Sequence, residues 1–171
     1  KDLSGNKKDA LTSGTFESGG YAKTCAAPQY SSYFGGYLKF NGSNTCYMTP
    51  YLDEQFDLNL SVEVWVRVDG AMSSSTIVQQ NYTTSPGSPV PNVNYFLADS
   101  NTDGTIRFGI YDGSYRQTAG ITPTLNTWTH LVGTYDGNNF RMYKDGVLVS
   151  TSIAFTGGLG SGINVAGTLI G

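Results

Sequence analysis

The residues in this sequence best equipped for chemistry are three glutamates, one histidine and an aspartate-rich turn. Hydrolysis of a glycosidic bond uses two carboxyl groups that flank the scissile bond. Glu17, Glu54 and Glu63 are the only glutamates. None has a second carboxylate two residues further along a strand; Glu63 is followed by Trp65 and Arg67. His130 is the only histidine. A Ser-His-Asp relay would need a nucleophile motif to accompany it, and there is none, so His130 is read as a strand residue. The run Asp99-Ser100-Asn101-Thr102-Asp103-Gly104 begins like a calcium loop, but its last ligand position falls on Ile110 rather than glutamate. It is read as a hairpin turn. No Cys/His cluster has zinc spacing. The expectation is no catalytic residue, no metal ligand and no required cofactor.

Binding remains. A sugar site needs an exposed aromatic face flanked by hydrogen-bonding groups. Trp65 with Glu63 and Arg67, Tyr111 with Arg107, and Tyr143 with Arg141 would supply one if their strands line a single concave face. The candidate ligand-binding residues are therefore Trp65, Arg67, Tyr111 and Tyr143. The alternative is that Trp65 packs beneath a loop such as residues 30–37.

These side chains must be carried by strands. Residues 60–68 alternate, with Val62, Val64, Val66 and Val68 forming one apolar face and Glu63, Trp65 and Arg67 the other. Residues 128–152 read as three strands joined by turns at Asp136-Gly137 and Asp145-Gly146, where glycine accepts the positive φ of a tight hairpin. In the middle strand Phe140, Met142 and Lys144 face one way, and Arg141, Tyr143 and Asp145 the other. Further strands are expected at residues 11–16, 75–80, 94–99, 105–112 and 115–119. A hairpin is expected from residues 37–40 through Asn41-Gly42 to residues 46–49. The proline-rich stretch 85–93 is expected to be an exposed loop. No helix of useful length is expected.

Composition agrees with an all-β chain. Of 171 residues, 22 are glycine and 12 tyrosine, and only 13% are charged. The net charge of −3 comes with no basic cluster, which argues against nucleic acid or an anionic membrane as partner. No apolar run approaches the length of a membrane-spanning helix. Cys25 and Cys46 are the only cysteines. Paired, they would close a loop of about 20 residues and stabilise the fold by about 3 kcal/mol; two unpaired buried thiols are the alternative. Asn41, Asn59 and Asn81 each begin an N-x-S/T acceptor triplet. Together these features favour a secreted or cell-surface glycoprotein.

Several segments resemble the laminin-G-like (LamG-like) domains of the concanavalin A-like lectin/glucanase superfamily. They are LSGNKKDALTSG, YLKFNGSN, LNLSVEVWVRVDG, DGTIRFGIYDG, LNTWTHLVGTYDGNNFRMYKDGVLV and GGLGSGINVAG, in family order. WTHLVGTYDG and YKDGVLV are the specific pieces. The resemblance implies a two-sheet antiparallel jelly-roll β-sandwich and favours packed positions for Trp65 and Trp128. It implies one LamG-like domain over residues 1–171, belonging to a longer chain. The family's usual first and last strands are not recognised in the sequence, so the same chain or a partner is expected to supply them at edges near Leu11 and Ile163. Enzymes of the superfamily carry E-x-D-x-E on one strand, which is not found here. Many LamG-like domains hold a calcium ion at the loop rim; structural calcium stays open, with no ligands assigned. The expected function is a non-catalytic extracellular recognition or assembly module, binding a glycan, an extracellular protein or neighbouring domains. A structural subunit of a fibre or surface appendage is the alternative, with a glycoside hydrolase behind both.

Overall fold

A computed structural model describes residues 14–18, 21–32, 36–48, 59–83, 92–111, 114–152, 154–155 and 164–171. All the regular structure among them is β. In chain order the strands are β1 Gly14–Ser18, β2 Tyr21–Cys25, β3 Gln29–Ser31, β4 Tyr37–Lys39, β5 Tyr47–Met48, β6 Leu60–Arg67 and β7 Thr76–Thr83. Then follow β8 Asn92–Ala98, β9 Arg107–Tyr111, β10 Tyr115–Gln117, β11 Trp128–Tyr135, β12 Phe140–Lys144, β13 Val147–Thr151 and β14 Asn164–Ile170. Leu11, Ile163 and the stretch 84–91 lie outside the described residues.

Two antiparallel sheets dominate. One has the order β10-β9-β8-β7-β14-β5 and the other β13-β12-β11-β6. Small ribbons β1-β2 and β3-β4 complete the set. The core lies between the two large sheets. It takes Leu97, Phe108 and Ile110 from the first and Leu131 and Phe140 from the second, with Ile106 just before β9 and other residues of both. Phe108 and Phe140 meet edge to face across the gap, with centroids 5.9 Å apart. Gly133 lies directly against the Phe108 ring, and any Cβ there would collide with it. Here the second sheet approaches the first more closely than a side chain would permit.

Alternation along β6 does what the sequence requires. Val62, Val64, Val66 and Val68 pack against the core, while Ser61, Glu63, Trp65 and Arg67 are exposed. β11 and β12 alternate in the same way, and the turn between β12 and β13 has positive φ at both Asp145 (51°) and Gly146 (81°), as a type I′ turn demands.

The hairpin expected through Asn41-Gly42 does not form. β4 pairs with β3, and β5 pairs with β14. The cause is local chemistry. Asn41 Oδ1 accepts the backbone N–H groups of Ser43, Asn44 and Thr45 at 2.9, 3.1 and 3.2 Å. This asparagine-nucleated loop displaces the two-residue turn; Gly42 has φ +69° while Asn41 does not enter the left-handed region. The chain is then tied down by the Cys25–Cys46 disulfide, whose Cα atoms are 5.3 Å apart. Both cysteines are buried with Leu169 of β14 in a second apolar cluster.

Candidate functional site

The register of β6 against β11 sets Trp65 opposite His130, and Glu63 opposite Val132. All three polar or aromatic side chains lie on the face of the four-stranded sheet turned away from the core. Trp65 and His130 stack, with ring centroids 5.1 Å apart and planes 30° from parallel. His130 Nε2 donates to Glu63 Oε1 at 2.9 Å; an ionised carboxylate can only accept. His130 is also fixed through its backbone, donating N–H to Asp145 Oδ1 at 3.0 Å while its carbonyl accepts the Asp145 N–H at 2.8 Å. The imidazole is thus a partly covered wedge (22% exposed) that holds the more exposed Glu63 side chain (69%). Trp65 itself stays 62% exposed. Among the described residues no loop covers it, contrary to the packed alternative; Tyr37, from the segment expected to do so, packs edge to face on Trp128 at 5.5 Å instead.

Arg67 shares the Trp65 face. Its Nε and Nη2 donate to the two carboxylate oxygens of Asp69 at 2.6 and 3.0 Å, and its guanidinium lies 6.0 Å from the Trp128 ring centroid. The hydrogen bonds from Arg67 hold Asp69 below the ordinary carboxylate range, and those same bonds raise Arg67. Tyr143 of β12 pairs with Val132, which pairs in turn with Glu63. Tyr143 is therefore on this face two strands from Glu63, or roughly 9.6 Å at normal strand spacing. Arg141, one alternation further on, is ion-paired with Asp136. That hydrogen bond, helped by the N–H groups of Asn139 and Asn138, lowers Asp136 to about 2.

Tyr111 does not join Trp65, Arg67 and Tyr143. It belongs to β9 in the six-stranded sheet, so the four expected ligand residues do not share one face. Its ring tilts against Tyr115 at 4.9 Å, and Tyr115 meets Phe96 edge to face at 5.9 Å. Strand alternation shows which way a side chain points within its own sheet but not which sheet it joins. His130, conversely, is more than a strand residue. Its outward direction was legible, but its two companions are 65 and 67 positions away in sequence, a pairing that only the register reveals.

The aspartate-rich turn has its donors occupied. Asp99 is buried and accepts the N–H groups of Asp103 (3.2 Å) and Gly104 (3.1 Å). Asp103 receives both terminal nitrogens of Arg107, at 2.9 and 2.6 Å, and bonds from Arg107 and then Thr105 pull it far below its usual range. That donor set does not fit a calcium ion. Among the described residues no group of three or more His, Cys, Asp and Glu could hold a metal. Of the acceptor asparagines, Asn41 and Asn59 are exposed and Asn81 lies within β7. Glu17 is on β1, and Glu54 is outside the described residues.

The profile of the Laminin G 3 family, described as the concanavalin A-like lectin/glucanases superfamily, matches residues 35–168. Among solved structures the chain is similar to domain 4 of AbnA, a GH43 extracellular arabinanase from Geobacillus stearothermophilus, in complex with arabinotriose. The TM-score is 0.69 at 17% identity, covering 99% of this chain and 76% of that one. It is also similar to the carbohydrate-binding module CBM66 from Bacillus subtilis, at TM-score 0.42 and 11% identity, covering 93% and 92%. Compared by sequence with curated proteins, the chain has no significant match.

Proposed function

The chain belongs to the Laminin G 3 family of the concanavalin A-like lectin/glucanases superfamily, and from that premise we propose that it is a non-catalytic glycan-binding module of an extracellular protein. One observation carries the reading. Trp65 presents an indole that is mostly open to solvent, yet it is held in place by His130, with a carboxylate acceptor beside it. A pre-set aromatic platform flanked by polar groups is what a carbohydrate needs, because the C–H face of a sugar ring can lie on the indole while its hydroxyls find acceptors at the rim. The arabinotriose bound by the structurally similar arabinanase domain supports the choice of ligand class. Glu63 is paired with His130 rather than with a second carboxylate, which supports binding without hydrolysis. The disulfide supports an oxidising, extracellular setting, in which Asn41, Asn59 and Asn81 are candidate glycosylation positions.

The test is a glycan array followed by titration calorimetry on the wild type and Trp65→Ala. Binding that falls at least tenfold in the variant, with the melting temperature nearly unchanged, supports the reading. Full binding by the variant contradicts it.

A second reading, assembly into an extracellular structure, is favoured by β13. It ends the four-stranded sheet among the described strands and exposes Val147, Leu148 and Val149, a combination that invites edge pairing. Sedimentation of wild type against Val149→Lys tests it; a concentration-dependent dimer lost in the variant would favour assembly.

A further inference from the structure

We infer that the Trp65 face selects neutral saccharides and rejects anionic ones, with Glu63 as the discriminating group. This rests on the glycan-binding reading above and adds the ligand class.

The balance of charge on one face decides the ligand. Recognition of uronic acids or sulfated sugars works through arginine or lysine forks aimed at the anion. The guanidiniums near the platform already have carboxylate partners. Arg67 is bidentate on Asp69, and Arg141 is paired with Asp136. Lys144 pairs with the core residue Leu131 and so lies on the other side of the sheet. To reach either guanidinium, an incoming anion would have to displace Asp69 or Asp136. It would also approach Glu63, whose side chain is 69% exposed next to the stacking surface.

For a neutral sugar the same carboxylate is an asset. It has acceptor sites for about four hydrogen bonds, and His130 supplies one donor. The remainder can accept two neighbouring hydroxyls at once, and such charge-assisted bonds are stronger than neutral ones. His130 is a positioning residue in this scheme: it touches both the indole and the carboxylate and sets the distance between them.

The experiment uses the intact protein and matched trisaccharide pairs: galactan against galacturonan, unsulfated against sulfated, and arabinotriose as a further neutral probe. Affinities are measured at low and high sodium chloride. The expected result is neutral members bound at least tenfold more tightly than their anionic partners, with affinity nearly independent of salt. In Glu63→Gln the neutral affinity should fall several-fold and the gap between partners should close. Preference for the anionic members, a steep loss of affinity with salt, or an unchanged preference in Glu63→Gln would overturn the inference and leave glycan binding intact. Failure of every sugar to bind the wild type would overturn both.

Discussion

Trp65 and His130 sit opposite one another on β6 and β11, their rings stacked at 5.1 Å, and the same imidazole reaches Glu63 at 2.9 Å. One side chain therefore fixes the orientation of two others. Each half of that role can be removed separately. His130→Phe keeps a ring against Trp65 and loses the donor to Glu63. His130→Gln keeps a donor and loses the ring. The aromatic contact is worth about 0.5–1.5 kcal/mol and the side-chain hydrogen bond about as much, so losing either should weaken sugar binding by roughly 2- to 12-fold. Unfolding midpoints should move little, because the site is on the surface. Calorimetry and thermal melts on the two variants decide this. Equal affinity in both variants and wild type would remove His130 from the site.

The Cys25–Cys46 bond spans 21 residues of chain and anchors the segment before β5 to the end of β2. Closing a loop of that length is worth about 3 kcal/mol in the chain-entropy model. Replacing both cysteines by alanine should lower the melting temperature by about 6–12 °C for a chain of this size. Sugar affinity should be unaffected, because the bond lies against β14 of the other sheet. A melting temperature unchanged by the double substitution would show that the bond does not constrain the fold.

Acid should destabilise the protein in a defined window. Asp69, Asp103 and Asp136 are all lowered by arginine partners, Asp136 to about 2. In this range the unfolded chain binds more protons than the folded one, so stability rises with pH. Their contribution is complete above the unfolded aspartate value of about 3.9 and is lost as pH falls through the folded values. Urea midpoints should therefore decline between about pH 4 and pH 2, and Asp136→Asn should reduce the decline. A decline equally steep in that variant would assign the acid sensitivity to other groups.

Much of the fold was legible because it is local. The valine alternation of β6 and the Asp145-Gly146 turn are set by neighbours in sequence, and both form as read. What was not legible depends on distant partners. β5 joins β14, more than a hundred residues away, and nothing within residues 37–49 signals it. The asparagine loop at Asn41 uses side-chain bonds that compete with a hairpin turn, and the Asn-Gly pair alone does not reveal which wins. The same limit applies at the site. Trp65, Arg67 and Tyr143 were named from their strands, and alternation carried them to one face. Tyr111 was grouped with them on the same logic and lies on the other sheet. His130 entered the site only through the register that sets it opposite Trp65.

Nuclear magnetic resonance titration with a neutral oligosaccharide reads directly whether carbohydrate is held on the Trp65 face. The Trp65 indole N–H and the resonances of His130 and Tyr143 should move together and saturate, and the response should disappear in Trp65→Ala. Shifts centred on Tyr111 and Tyr115 of the six-stranded sheet, or an undiminished response in Trp65→Ala, would contradict binding on that face.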